Sequence, residues 1–369
     1  MVGRRFTCLD GLRGLLAVYV LVSHMAPFAG LPSALVRPFS HGEAAVDVFF
    51  ILSGMVVVRS LQSFGCDRRS FLIARAARTL PAFLVVFALA IPVQPLPTAL
   101  PGMSWIGPGD PGRAIWSTGW PDDWAVEIGA HLVMAHGLFP DAALPDVWVS
   151  FLGAAWSLST EWQFYLLVAL LAPLLGGDGP RRLVLALLLL GAAALLWHTA
   201  MPPGWHFSRA FLPNKAAYFG LGIASAGALD HGRRRRLAVA FLAAVAIAVC
   251  QGGAGKLAAP LVWMLCLAAQ TGRGLPLLAP LARFLRSPPL LALGRVSYPI
   301  YLINEPVQKV LALALLPLAG GDPVRFAALW LPGAVLVPLA AASLLHRYIE
   351  APGLRLGRAW LPPRLAIAG

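Results

Sequence analysis

The stretch LDGLRGLLAVYVLVSHM, residues 9–25, is apolar enough to begin a bilayer crossing, yet it carries Asp10, Arg13 and His24. A span needs roughly 20 mostly apolar residues, and an ionisable group inside one costs about 2.5 to 3.5 kcal/mol on insertion scales. At about 100° per residue, Arg13 and His24 lie about 20° apart around a helix and Asp10 about 40° from His24, so one face carries all of them. The rise from Arg13 to His24 is about 16 Å. The arginine therefore sits near one edge of a bilayer and the histidine at or beyond its middle, and the stripe must face protein or a water-filled path.

The rest of the chain agrees. Of 369 residues, 59% are hydrophobic and 12% charged, against about 25% charged in soluble domains, which excludes a soluble globule. Candidate spans are residues 12–30, 44–62, 79–98, 152–176, 183–201, 210–229, 236–250, 256–271, 290–317 and 326–345, with a weaker stretch at 125–139. This predicts an all-α polytopic protein with about ten transmembrane helices. If 125–139 does not cross and the N-terminus is cytoplasmic, twenty basic residues fall inside: Arg4, Arg5, Arg59, Arg68, Arg69, Arg75, Arg78, Arg181, Arg182, Arg233 to Arg236, Arg273, Arg283, Arg286, Arg347, Arg355, Arg358 and Arg364. Five stay outside (Arg37, Arg113, Arg209, Lys256, Arg325) and four lie within spans (Arg13, Lys215, Arg295, Lys309). That sorting is the positive-inside rule. Counting 125–139 as a span would put Arg181, Arg182 and Arg233 to Arg236 outside, so it reads as an outer-face half-helix or re-entrant segment in a lobe over 99–151.

Both termini are then cytoplasmic, and residues 1–369 form a single membrane domain with no appended soluble domain. The first helix has no small-residue cleavage site after it and is expected to be retained. The net charge of +13 becomes a topology signal, with no nucleic-acid partner, and the Arg233 to Arg236 run an anchor for a short cytoplasmic loop. Cys8, Cys66, Cys250 and Cys266 have neither disulfide nor zinc spacing and read as reduced packing residues. No metal is expected.

Other polar residues interrupt the spans. His24 is suited to general-base work, since a histidine's ordinary pKa is about 6.5. Glu43 and Asp47 lie one turn apart at the outer end of the second span, as an interfacial cap or, for Asp47, a group that pairs with or orients a neighbouring histidine. Ser53 and Gly54 read as close helix packing. Arg75 and Arg78 share a helical face at the cytoplasmic edge, where guanidinium groups serve the positive-inside bias or bind phosphates. Glu161 sits inside an aromatic belt that does not explain it. In GRVSYPIYLINEPVQK, residues 294–309, Tyr298, Asn304, Glu305 and Lys309 interrupt an apolar run; Glu305 and Lys309 are spaced to pair, and Pro299 and Pro306 should break the helix around a cavity. His136 and Asp141 have an acyltransferase-like H-x4-D spacing but on the wrong side for a cytosolic thioester. His131 and His136, five apart, would point about 140° from each other on a helix and so form no metal pair.

These residues together resemble the integral-membrane acyltransferase family 3, whose members move acyl groups, most often acetyl, onto hydroxyls of carbohydrates and other molecules. Arg13 to His24 is similar to the family's R-x10-H signature, AVDVFFILSG to its second-helix motif, Arg75 and Arg78 to its R-x-x-R, and WSLSTEWQFY, GRVSYPIYLINEP and HRYIEAP to later segments in the same order. The resemblance implies that His24 is the catalytic histidine, that Arg13 belongs to the same essential motif, and that Arg75 and Arg78 contact acyl-CoA, with acetyl-CoA the expected co-substrate. Asp10 completes the stripe, and Asp47 or Glu161 would orient His24. Glu43, Tyr298, Asn304 and Glu305 are expected to position substrate; Asn304 stands where family members often have histidine. The implied partners are the bilayer, acyl-CoA and a carbohydrate or glycolipid acceptor, and the implied location a bacterial inner membrane. A glycolipid transporter or flippase, which would also need broken helices and buried charge, is the alternative.

Overall fold

The computed structural model describes residues 6–96, 102–107, 115, 119–176, 178–271 and 276–362. Arg4, Arg5, Arg113, Arg273 and Arg364, and parts of the 99–151 lobe, lie outside the described residues. The helices are α1 (Thr7–Met25), α2 (Ser33–Val36), α3 (Gly42–Ser63), α4 (Arg68–Val93), α5 (Trp124–Leu132), α6 (Trp156–Leu170), α7 (Gly179–Ala200) and α8 (Leu212–His231). They continue with α9 (Arg234–Gly252), α10 (Ala258–Thr271), α11 (Ala279–Leu285), α12 (Pro288–Arg295), α13 (Ser297–Ala319), α14 (Pro323–Leu345) and α15 (Ala351–Ala359), the last joined to α14 through a π-turn at His346–Glu350. Among the described residues there is no strand, only an isolated bridge between Pro140 and Phe207.

Eight helical segments among the described residues are long and apolar enough to cross a membrane: those built on α1, α3, α4, α7, α9, α10, α13 and α14. The chain is thus an integral, multi-pass membrane protein. The two remaining stretches expected to span hold α6, 15 residues between 3-10 turns, and α8, 20 residues carrying Lys215 and Asp230. Helix α4 starts well before the expected 79, because Asp67 caps it by accepting from the Ser70 N–H at 2.9 Å. Arg75 and Arg78 therefore project from a helix.

The expected breaks at Pro299 and Pro306 are corrected. The interruption falls at Val296, between α12 and α13. Pro299 lies in the first turn of α13, where a missing N–H costs nothing, and α13 runs on through Pro306. What fixes α12 is its approach to α1: a Cβ on Gly294 would stand 2.2 Å from the Asp10 carbonyl oxygen, and one on Gly14 2.5 Å from that of Leu290.

Helix α1 is the hub, touching α3, α10, α11, α12, α13 and α14. Leu9, Leu12, Leu16 and Val20 join the apolar cluster built around α3 and α6 to α10. Ala17, Leu21 and Met25 join the second, built around α4, α13 and α14. Helices α3 and α8 run parallel. A Cβ on Gly54 would meet the Phe219 carbonyl oxygen at 2.2 Å, and one on Gly222 that of Ile51 at 1.9 Å, so the backbones are in contact. The four cysteines are free, Cys250 exposed.

In the lobe, α5 has nine residues, about 13 Å and too short to span. The expectation that His131 and His136 point apart is corrected: the helix ends at Leu132, Met134 is left-handed (φ 58°), and the two rings stack at 4.0 Å between centroids, 6° from parallel. His131 Nδ1–H donates to the Glu127 carbonyl (2.8 Å) and His136 Nε2–H to that of Ala155 (3.0 Å). His136 thus holds the lobe to the start of α6, while Asp141 is exposed. Burial pushes His131 down to about 4; burial first, then His131 itself, hold His136 well below the ordinary histidine value.

Two outcomes are expected. Gly54→Leu should destabilise the protein by about 1–3 kcal/mol or more through overpacking, whereas Gly129→Ala, with nothing within 4 Å of the added Cβ, should leave thermal unfolding in detergent unchanged. The unfolded chain binds more protons than the folded lobe from about pH 6.5 down to about 4, so stability falls as pH drops through that window. Hydrogen exchange over residues 124–138 should accelerate there, and His131→Phe should flatten part of the response.

Candidate functional site

Helix α1 presents Arg13 to a cavity of about 140 Å³, walled also by Arg75, Arg78, Glu161, Tyr298 and Tyr301. Each wall residue is held by its neighbours. Ser53, expected to be packing only, donates to Glu161 Oε1 at 2.7 Å. Arg75 stacks on Phe71 and Tyr165, with its guanidinium carbon 5.5 and 5.6 Å from the ring centroids, and donates to Ser60 Oγ. Its buried Nε–H finds no acceptor among the described residues. Arg78 faces Glu350 at 3.8 Å, and Glu350, 1% exposed, also meets His346 Nδ1 at 2.6 Å. Tyr298 donates to the Thr79 carbonyl at 2.7 Å, fixing α13 against α4.

Arg75 and Arg78 also wall a second cavity, about 430 Å³, together with Arg59, Arg358, Phe6 and Phe64. The arginine pair is thus a partition between a larger basic chamber and a smaller inner one. Arg59 is already held by Asp230 through contacts of 2.8 and 2.6 Å. Asp10 is exposed in the first turn of α1, where a carboxylate complements the positive end of the helix. It is not among the cavity's walls.

Further along α1, His24 meets α13. Its Nδ1 lies 2.7 Å from Asn304 Oδ1. The Asn304 amide nitrogen donates to the carbonyls of Ile300 (3.0 Å) and Tyr301 (2.6 Å), so the oxygen must be the atom facing the imidazole. An amide oxygen only accepts, so Nδ1 carries the proton and Nε2 keeps its lone pair. Asn304 is fully buried and its orientation fixed. The Tyr301 carbonyl it holds belongs to a residue that walls the inner cavity.

The expectation that Asp47 orients His24 is corrected. Asp47 is 1% exposed and pairs with Lys215 Nζ at 2.7 Å. The same ammonium meets Glu43 at 2.7 Å, and Glu43 also accepts from Lys256 and, at 3.3 Å, Arg209. A buried carboxylate is drawn to a buried cation, and among the described residues Asp47 pairs with Lys215 and with no imidazole. Arg209 in turn lies 4.9 Å from the Trp148 ring centroid and 5.8 Å from that of Trp156. Glu305 lines a separate cavity of about 20 Å³ with Gln94 and Lys309, whose Nζ donates to the Gln94 carbonyl at 3.2 Å. Lys215, Ser53, Glu350 and Arg358 were not singled out from sequence as site residues. For Lys215 the signal was present, a charge inside a span.

The family whose sequence profile matches residues 6–347 is described as an acyltransferase domain. A protein of Komagataeibacter xylinus described as a membrane-bound transacylase, BcsY, is 29% identical over 208 residues, 52% of this chain and 44% of that protein. The acyltransferase MdmB of Streptomyces mycarofaciens is 31% identical over 170 residues, 44% of this chain and 38% of the relative. The chain's matches thus span less than half the length of these curated relatives. No solved structure matches.

If Asp47 is structural, Lys215→Met should cost about 3–5 kcal/mol by leaving the buried Asp47 without its partner, and Asp47→Asn should cost less, because Lys215 keeps Glu43 at 2.7 Å. The double change Asp47→Leu/Lys215→Met should restore most of the thermal stability in detergent. An Asp47→Asn protein of unchanged stability but no activity would return Asp47 to the chemistry.

Proposed function

The chain belongs to the acyltransferase family matched over residues 6–347, and on that premise we propose that it moves an acyl group, acetyl by preference, from cytosolic acyl-CoA to a hydroxyl of a carbohydrate or glycolipid acceptor. The observation that carries this reading is the placement of two chemistries on one helix. Arg13 opens on an arginine-walled cavity, and His24, about 16 Å further along α1, has its tautomer set for base work by Asn304.

The donor enters from the arginine-rich end, which the positive-inside rule assigns to the cytosol of a bacterial cell, through the inner membrane's cytoplasmic face. Its phosphates lie in the basic chamber on Arg75, Arg78 and Arg358, where the unpartnered Arg75 Nε–H supports an anionic ligand. The pantetheine arm passes the Arg75/Arg78 partition into the inner cavity and along α1 toward His24. Glu161 keeps Ser53 engaged and balances part of the charge of Arg13, Arg75 and Arg78. The acceptor approaches from the opposite face, past Trp148, Arg209 and Glu43, where the start of α3 is seated on α1. A Cβ on Gly42 would lie 2.4 Å from Ser23 Oγ, next to His24.

In the transfer, His24 Nε2 takes the acceptor hydroxyl's proton as its oxygen attacks the thioester carbonyl. Collapse breaks the C–S bond, and the leaving thiolate takes the proton back from Nε2–H. His24 is thus the catalytic base and acid, and Asn304 a positioning residue, holding Nδ1–H so that the lone pair stays on the reacting side.

The reading predicts that His24→Ala lowers kcat by about 10²- to 10⁴-fold with the protein still inserted, in an assay of acyl-CoA-dependent O-acylation by mass spectrometry of cell-surface glycans. Arg75→Ala/Arg78→Ala should chiefly raise the KM for acyl-CoA. Asn304→Leu should lower kcat without changing that KM, and Asn304→Asp should not recover it, since its second oxygen would face the Ile300 and Tyr301 carbonyls that the amide now donates to. Full acylation by the His24 variant would overturn the proposal, and glycolipid transport that survives loss of His24 would favour a transporter.

A further inference from the structure

Helices α7, α8 and α9 enclose a cavity of about 500 Å³ that takes no part in the transfer above. Its walls are apolar, with Val184, Leu188, Ile223 and Val239 among them, and it opens among lipid-facing side chains such as Leu185 (58% exposed) and Val239 (60% exposed). One end is lined by Arg181, Arg233, Arg235 and Arg236.

These arginines are short of counter-charge. Between Glu161 and Glu305 the chain contains only two acidic residues, Asp178 and Asp230. Asp230 is held by Arg59, and Asp178 lies 3.6 Å from Arg236. Among the described residues no carboxylate pairs with Arg181, Arg233 or Arg235. Several of the arginines also stand in the first turns of α7 and α9, at the positive ends of both helix dipoles, where a cation is disfavoured and an anion favoured. Topology alone does not explain this. The positive-inside rule needs charge in the loops, which Arg182 and Arg234 supply without lining the cavity; it does not need guanidinium groups facing an apolar groove.

We propose that this groove binds an anionic phospholipid of the adjacent leaflet, its phosphodiester on Arg181, Arg233 and Arg235 and an acyl chain between α7 and α9 along Val184, Leu188 and Val239. Guanidinium suits phosphate oxygens through paired N–H donors, and basic pockets between transmembrane helices at the cytoplasmic edge suit lipid headgroups. A soluble phosphate would satisfy the arginines but leave the groove unused.

The test is native mass spectrometry of the full chain released from detergent, titrated with phosphatidylglycerol or with phosphatidylcholine of the same acyl chains. The wild-type protein should hold phosphatidylglycerol about tenfold more tightly or better. Arg181→Gln/Arg235→Gln should lose that preference; Arg182→Gln/Arg234→Gln, which removes equal charge from the same segments, should keep it. Val184→Trp, which fills the groove and leaves every charge in place, should also weaken binding. The proposal is overturned if the wild-type protein binds both lipids alike, if both double variants weaken equally, or if glycerol 3-phosphate displaces the lipid. The wild-type comparison stands whether or not a variant folds.

Discussion

A charge or strong polar group within the hydrocarbon thickness must have a partner, and that constraint organises this molecule more than its apolar surfaces do. Lipid tails are as apolar as leucine, so leucine contacts between helices specify little about which helix lies against which. The polar pairs specify much. Asp47 with Lys215 and Arg59 with Asp230 fix the opposite ends of the parallel α3–α8 pair. Ser53 with Glu161 ties α3 to α6, Arg78 with Glu350 ties α4 to the π-turn after α14, and His24 with Asn304 ties α1 to α13. Between these points glycines let backbones touch, so the register the pairs choose is also the one that packs.

The pairing is unequal along the membrane normal. At the end where α3 and α8 begin, Glu43 and Asp47 are met by Lys215, Lys256 and Arg209, a closed cluster in which each carboxylate has a cation. At the other end guanidinium groups outnumber carboxylates: Arg13, Arg75 and Arg78 share Glu161 and Glu350, and of the arginines beside the α7–α9 cavity only Arg236 pairs with a carboxylate, Asp178, among the described residues. The first arrangement is rigid and self-sufficient. The second carries an excess of positive charge, and the two cavities that share Arg75 and Arg78 lie at that end.

What the sequence discloses follows from this division. The stripe of Arg13 and His24 was legible because helical periodicity is local, and the spans because hydropathy is local too. Partner choice was not. The depth of Asp47 in its span fits a histidine on a neighbouring helix; its partner, Lys215, lies 168 residues away on a helix whose facing cannot be read from periodicity. Proline is a local signal and points to a break at Pro299 or Pro306, whereas the break at Val296 goes with the contact of Gly294 with α1, which is tertiary. Helical periodicity sets His131 and His136 apart only while the helix continues, and Met134 adopts a left-handed conformation that ends it.

Asparagine at position 304 is the most specific of these choices. A neutral histidine there could offer His24 either an N–H or a lone pair, according to its own tautomer, and a charged one would place a cation beside it. Asn304 has no such freedom. With both amide hydrogens directed to the Ile300 and Tyr301 carbonyls, it can only accept from His24. Those carbonyls lie one turn back on α13, so the helix itself holds the amide. The tautomer of a residue on α1 is thereby set by the backbone of α13, and a shift of the α1–α13 crossing would act on His24 through Asn304.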